Sequence, residues 1–444
     1  MNKRGYPILT KGSVAHHLVR LMMPMMLGMF SLAIFQITDT FFIGKLGKNE
    51  LAAISFTFPI IMVVNGIALG LGTGVSSVIS RTVGAGNINQ VRRLTVDALL
   101  LGILIVSVVL VVGELTISPL FRFLGAADSI LPLIENYMSI WYIGVVFVVI
   151  PMIGSNIIRA TGDTATPGLI MTASAILNML LDPLFIFGLG PFPQMGIAGG
   201  AVATVIARAL NMVFSLHIII FREKLITFER IQFREVFTSW QNILVVGIPA
   251  SLSNFIVPVT AGIITRMIAG FGISAVAGFG VGNRLQMLLM LVIKALASIM
   301  IPFTGQNWGA GLKNRVRTAL KTSYVIATLW SMILLVLIFI IGKPIVALFN
   351  KDSVVIETAV LYLRIVVLSY SFRGMLYISS SSLNALNKPI FSISFSLINS
   401  VGLYIPLSLI WVSLWGLRGI FIASFAANTI AGILAAIITL RQIR

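Results

Sequence analysis

Thirteen Asp and Glu residues occur in this chain of 444, and their positions carry most of its chemistry. Most lie in polar gaps or within a turn or two of the end of an apolar run, but Asp39 and Asp182 lie inside such runs. A carboxylate at the centre of a bilayer costs about 2.5–3.5 kcal/mol on insertion scales, so it faces a bundle interior or a wet cavity and marks an ion or proton path. Asp182 has company. Asn178 precedes it on the same helical face, and Pro183 follows it. Proline has no N–H and clashes with the carbonyl four residues back, here that of Met179. A carboxylate, an amide and a freed carbonyl in one turn suit two tasks: carrying a proton with water, or holding a dehydrated Na⁺. Asn156 and Thr204 are candidates to complete the set. Pro24 shares a run with Asp39 and is a candidate hinge. Met25 and Met29, from the methionines around Pro24, are candidate substrate contacts because thioethers adapt to irregular surfaces. Gln36 and Arg284 join them as candidates for the substrate cleft.

Other chemistry is not provided for. There is no Cys, and of the three His, His16 and His17 are adjacent while His217 stands alone. No Ser-His-Asp set, phosphate loop or dedicated metal site emerges, apart from Na⁺ at Asp182 and Asn178. The chain is expected to be no enzyme and to use no cofactor.

Elements long enough to bury these acids are abundant. The chain is 58% hydrophobic and 10% charged, with a mean hydropathy of +1.04, against about 45–50% apolar and 25% charged in soluble domains. Apolar runs predict twelve transmembrane helices, at about 14–43, 50–80, 92–118, 131–158, 164–189, 195–221, 238–268, 273–303, 315–342, 355–384, 388–413 and 417–440. The fold class is an all-α integral membrane protein. A net charge of +18 invites a nucleic-acid reading, but the 31 basic residues are scattered between apolar runs. Assigned to alternate sides, 19 fall with the termini and 7 opposite, the other five lying inside spans. That bias places both termini in the cytoplasm. Localisation in a bacterial cytoplasmic membrane, as a monomer in the lipid bilayer with no nucleic-acid partner, is the expectation.

The chain also repeats itself at an offset near 225. Pro24 falls on Pro249, and Asn89-Gln-Val-Arg92 after Gly84-Ala-Gly86 falls on Asn314-Arg-Val-Arg317 after Gly309-Ala-Gly311. Gly196-Ile-Ala-Gly199 resembles Gly416-Leu-Arg-Gly419 at an offset of 220. Six spans per copy give both copies one orientation, so two pseudo-symmetric six-helix bundles are predicted: 1–222, a cytoplasmic linker at 223–236, and 237–444. Two such lobes enclosing a cleft suit a carrier that works by alternating access. On helix 2, Gly66, Gly70 and Gly74 form a small-residue face for close helix packing.

The duplicated layout, Gln36-Ile-Thr-Asp39-Thr-Phe-Phe-Ile-Gly44, Asn156-Ile-Ile-Arg-Ala-Thr-Gly-Asp163 and Asn178-Met-Leu-Leu-Asp182-Pro183 together resemble multidrug and toxic compound extrusion (MATE) transporters. The likeness runs through nearly the whole chain and is strongest to the DinF-like branch. It implies a multidrug efflux antiporter that exports amphipathic, often cationic, compounds against inward H⁺ or Na⁺. Asp39 and Asp182 match the coupling aspartates, with Asn178, Asn156 and Thr204 as neighbours. The NorM branch places further acids in helices 7 and 10, and this sequence lacks them at interior depth. That departure favours coupling in the first lobe and H⁺ over Na⁺. The rival reading is a lipid-linked oligosaccharide flippase of the same superfamily, which Arg284, Lys294 and Arg373 keep open.

Overall fold

The computed structural model describes residues 9–226 and 232–443 and is wholly helical there. Lys3, Arg4, Arg444 and the middle of the predicted linker, 227–231, lie outside the described residues. The first half contains α1 (Val14–Gly44), α2 (Lys48–Gly84), α3 (Ile88–Phe123), α4 (Leu131–Ile143), α5 (Val146–Ala160), α6 (Ala165–Phe187) and α7 (Ile197–His217), which ends in a π-helical turn at Ile218–Arg222. The second contains α8 (Phe233–Ala269), α9 (Ile273–Leu289), α10 (Leu291–Gly309), α11 (Lys313–Ala347), α12 (Ser353–Val366), α13 (Tyr370–Ala385), α14 (Pro389–Leu397), α15 (Ile405–Trp415) and α16 (Leu417–Gln442). A 3₁₀ turn joins α12 to α13, and a π-helical segment, Ile398–Tyr404, joins α14 to α15.

Ten of these stretches are long and apolar enough to span a bilayer, and two bent pairs, α4–α5 at 41° and α9–α10 at 46°, bring the total to twelve. The predicted run 131–158 is therefore two helices. At the break a Cβ on Gly144 would lie 2.3 Å from a Val205 methyl, so α7 packs into the space glycine leaves. Helix α3 extends beyond its predicted end at 118 to Phe123, which carries Glu114 deeper than the sequence suggested, with Oε1 buried and unpartnered. Leu115, Phe123, Ile273 and Ile340 are each more than two-thirds exposed, the surface expected of helices solvated by lipid.

Packing divides the chain into two units that do not coincide with the 223–236 linker: Met23–Ile248 form one, and 9–22 with 249–443 form the other. The reason lies in α8. Its first turns belong to the first unit, where Trp240 donates to the Asp97 carbonyl at 2.8 Å and Arg93 pairs with Glu235 at 2.7 Å. A Cβ on Gly74 would sit 2.3 Å from the Ile243 carbonyl oxygen, and one on Gly247 would sit 3.3 Å from that of Gly70. The small-residue face of α2 thus packs backbone to backbone on α8. In the second unit, Arg315 donates to the carbonyls of Gly12 (2.8 Å) and Leu9 (3.0 Å) and holds the segment before α1.

The duplication is visible in the backbone. Gly86 and Gly311, 225 residues apart, have φ of 79° and 74°. Gly196 and Gly416 have φ, ψ of 57°, −133° and 56°, −138°, a region that only glycine enters readily. Each opens a tight helical hairpin: a Cβ on Gly199 would lie 2.4 Å from the Phe185 carbonyl oxygen, and one on Gly419 would lie 2.0 Å from that of Trp411.

Candidate ion-coupling site

The α6–α7 hairpin of the first unit positions a buried polar group made of Asn178, Asp182 and Thr204. Close approach at Gly199 brings the end of α6 against the start of α7 and sets the register of the two helices. Asn178 and Asp182, one turn apart on α6, are 2% and 0% exposed and face α7. With its carboxamide nitrogen turned toward Asp182, Asn178 donates to Asp182 Oδ2 at 3.0 Å, and its oxygen accepts from the Thr204 N–H (3.0 Å) and hydroxyl (3.2 Å). This orientation sets a donor against an acceptor at each of the three contacts, whereas the reverse sets two acceptors against each other when Asp182 is ionised. Asp182, Asn178 and Thr204 therefore form one chain of hydrogen bonds from α6 to α7.

Asp39 approaches the same hairpin from α1. A Cβ on Gly200, one turn before Thr204, would lie 3.7 Å from Asp39 Oδ1. That oxygen is buried and has no hydrogen-bond partner. Neither Asp39 nor Asp182 has a basic partner among the described residues. The two carboxylates act on each other electrostatically, and both act on Tyr137 of α4. An anion pair of this kind inside a bilayer is held at high free energy unless a proton or cation joins it.

Other expected members are placed differently. Asn156 donates to its own helix at Met152 (2.8 Å), and its amide fills the space beside Gly72 of α2. No hydrogen bond joins it to Asp39, Asn178 or Asp182 among the described residues. Pro24 lies within a continuous α1 and packs on α6: a Cβ on Gly168 would sit 2.4 Å from the Pro24 carbonyl oxygen. The packing division of α1 falls between Met22 and Met23, beside this proline. Met25 is fully buried and Met29 partly so, while Gln36 and Arg284 are exposed.

Three participants escaped the sequence reading. Tyr137 is an ordinary aromatic within an apolar run, and its one signal is that Tyr362 stands 225 residues later. Gly200 matters only through the side chain it lacks. Arg208, one turn beyond Thr204, lines a recess with Asn178, Thr204, Leu32 and Phe35.

The Asn-x-x-Arg-Ala-x-Gly-Asp string builds the corner between α5 and α6. Gly162 turns the chain at φ 101°, and Asp163 accepts from the Thr166 N–H (3.0 Å) and hydroxyl (2.5 Å) and from Arg222 (2.5 Å). Burial pushes the Asp163 carboxyl up, but the Thr166 bonds and Arg222 outweigh it and hold the group below its usual 3.8. In the second copy, Asn387 takes the left-handed turn at φ 60°, and Lys388 bonds Gln442 at 2.5 Å.

A family model described as MatE matches residues 24–184 and again 249–410, so the two matches begin 225 residues apart. A curated relative from Shewanella oneidensis, named FAD transporter, is 35% identical over 96% of this chain and 94% of its own length. The multidrug export protein MepA of Staphylococcus saprophyticus is 26% identical over the same shares. The crystal structure of the Vibrio cholerae MATE transporter VcmN in its bent form superposes with a TM-score of 0.91 at 28% identity, covering 97% of this chain and 98% of that one.

Proposed function

The chain belongs to the MatE family of membrane transporters, and from that premise we propose that it is a secondary antiporter exporting amphipathic organic compounds in exchange for H⁺. The observation that carries this reading is the Asp182–Asn178–Thr204 chain with Asp39 beside it: two intramembrane carboxylates without basic partners among the described residues, one of them wired from α6 to α7. A proton placed on Asp182 Oδ2 turns that oxygen from acceptor to donor toward Asn178. Asn178 can then turn its amide over, so that its oxygen faces Asp182 and its nitrogen faces the Thr204 hydroxyl, at 3.2 Å. The Thr204 N–H loses its side-chain acceptor in that exchange. Protonation on one helix is thereby felt on the next, and it removes the repulsion between Asp182 and Asp39. A driving ion need only favour one of two states by a few kcal/mol to couple its own movement to that of a cargo.

Na⁺ is the alternative, and it asks more of the geometry. A dehydrated Na⁺ needs several oxygens converging, whereas here the Asn178 oxygen is engaged by Thr204 and the hydrogen bonds close without a metal. H⁺ needs only the carboxylates. The test is transport by Asp39→Asn and Asp182→Asn in proteoliposomes at matched insertion. Asn keeps the hydrogen-bonding shape but cannot cycle a proton, so both variants are expected to lose gradient-driven efflux, and wild-type efflux by either would remove that residue from the mechanism.

The relatives' names point to two kinds of cargo, drugs for MepA and a flavin dinucleotide for the Shewanella protein. An anionic cargo is favoured by one feature of the second unit. Its sequence from 249 onward contains just two acids, Asp352 and Glu357, yet Lys294 and Arg373 lie within its helices.

A further inference from the structure

Within the second unit, α8, α9, α12, α13, α14, the π-helical segment and α16 line a cavity of about 130 Å³. Arg373 is the one basic side chain lining it. Its Nε donates to Tyr377 Oη at 3.1 Å, and its guanidinium stands 5.7 Å from the Tyr377 ring centroid. Among the described residues no carboxylate pairs with it, and its remaining N–H groups bond no protein acceptor. Lys294 adds a second positive charge near enough to act on Tyr377. Tyr404, Asn399 and Asn428 bring hydroxyl and amide groups to the wall. The Asn399 Oδ1 is buried without a partner. A guanidinium inside a bilayer protein with hydroxyls and amides around it, and no acid, lacks a counter-ion.

The internal repeat shows what this cavity is. At an offset of 225, Tyr137 falls on Tyr362 and Asp39 falls on Ile264, and both later residues line the cavity. At 220, the offset of the Gly196–Gly416 pair, Thr204 falls on Ser424, which also lines it. The cavity thus stands where the first copy has Asp39, Tyr137 and Thr204, with Ile264 in place of the Asp39 carboxylate and, at an offset of 225, Arg373 in place of Val148.

We propose that this cavity is an anion site that takes the phosphate or carboxylate group of an aromatic organic anion, the class to which flavin nucleotides belong. Drug-sized pockets run from about 300 to 1,000 Å³, so the cavity accommodates the anionic group and not a whole dinucleotide. Arg373 supplies the planar fork that phosphate and carboxylate match. The inference rests on reading the chain as an exporter and names its cargo class.

The experiment is equilibrium binding to the full-length protein in lipid nanodiscs, followed by flavin fluorescence anisotropy. The probes are riboflavin 5′-phosphate, FAD and uncharged riboflavin, with inorganic phosphate as competitor. The two nucleotides are expected to bind at least about tenfold more tightly than riboflavin, the range of a charge-assisted bond, and phosphate should displace them. Arg373→Gln should weaken both nucleotides by about tenfold or more while riboflavin is unmoved. Arg373→Lys should fall between, and Lys343→Gln, the same charge removed from an exposed site on α11, should match wild type. Equal affinity for riboflavin and its phosphate in the wild type would overturn the proposal, as would nucleotide binding undiminished in a monodisperse Arg373→Gln. Should that variant not fold, the wild-type comparison and phosphate competition decide alone. Binding needs no gradient, so a protein that binds the nucleotides but never exchanges cargo for protons would overturn the antiport reading and leave this one standing.

Discussion

Replacing Gly168 by Ala tests whether the contact at Pro24 sets the position of α1. The added methyl would lie 2.4 Å from the Pro24 carbonyl oxygen and 2.8 Å from its carbon, both backbone atoms that no rotamer change can move. Carbon atoms in ordinary contact stand about 3.5–4.0 Å apart, so α1 and α6 must part by roughly 1 Å at this point. The Ser31–Thr172 hydrogen bond, 3.2 Å long and one turn away, would stretch with them. Overpacking on this scale costs about 1–3 kcal/mol, and the better helix propensity of Ala returns about 0.5–1 kcal/mol. The expected net loss is about 0–2.5 kcal/mol, centred on about 1 kcal/mol. Gly28→Ala is the internal control, because its methyl would stand 3.0 Å from the Gly168 oxygen and needs a shift of only a few tenths of an ångström. Equilibrium unfolding in mixed micelles should rank wild type and Gly28→Ala together, with Gly168→Ala clearly below. A Gly168→Ala protein as stable as Gly28→Ala would show that the two helices are not held at this contact, and would take away the reason for treating Pro24 as a pivot.

Three further outcomes follow from particular contacts. Arg315→Ala removes donors to Gly12, Leu9 and Asn307, so amide hydrogen exchange across residues 9–12 should accelerate at least several-fold; unchanged protection would mean the segment is held by its apolar contacts instead. Because Asp163 titrates below its usual 3.8 in the folded protein, its pairing with Arg222 contributes stability that is fully present above that value and is lost as pH falls through the depressed one. A double-mutant cycle of Asp163→Asn and Arg222→Gln should give roughly 0.2–1 kcal/mol at pH 7, discounted for the half-exposed arginine, and progressively less as pH falls through the depressed value; a coupling that grows on acidification would contradict the assignment. Lys224→Cys should react with an impermeant thiol reagent only in inside-out vesicles and Lys351→Cys only in intact cells, since the basic bias puts them on opposite sides; the reverse pattern would invert the topology.

How much of this was legible beforehand depends on what kind of signal each feature leaves. Spans are written in composition, because lipid demands about 20 apolar residues whatever their neighbours, and each of the twelve predicted runs is helical over most of its length, two of them as bent pairs. The duplication was legible because Gly, Pro and Asn mark backbone needs that both copies share, as Gly196 and Gly416 show by adopting one conformation. Asp182 with Asn178 was legible from helical spacing, and Thr204 from the family pattern. Contacts that depend on where separate helices cross were not. Asn156 points at Gly72 because of tilt and register that no local pattern records. The division of α8 between two units was hidden for the same reason: its sequence runs apolar across the break at Ile248 and Pro249, and only contacts such as those at Trp240, Glu235 and Gly74 show which unit its first turns join. The cavity at Arg373 was half visible. The basic residues were evident, but their meaning came from seeing Ile264 stand where the first copy has Asp39.

The central claim, that protons on Asp39 and Asp182 drive export, is tested most directly in proteoliposomes free of Na⁺. A pH gradient is imposed with an oriented cargo load, and cargo and proton fluxes are recorded together. The account predicts cargo movement against its own gradient with proton flux in a fixed ratio, both absent in Asp182→Asn. Silence under the pH gradient with transport restored by a Na⁺ gradient would contradict it, and would recast Asp182, Asn178 and Thr204 as ligands of a metal ion.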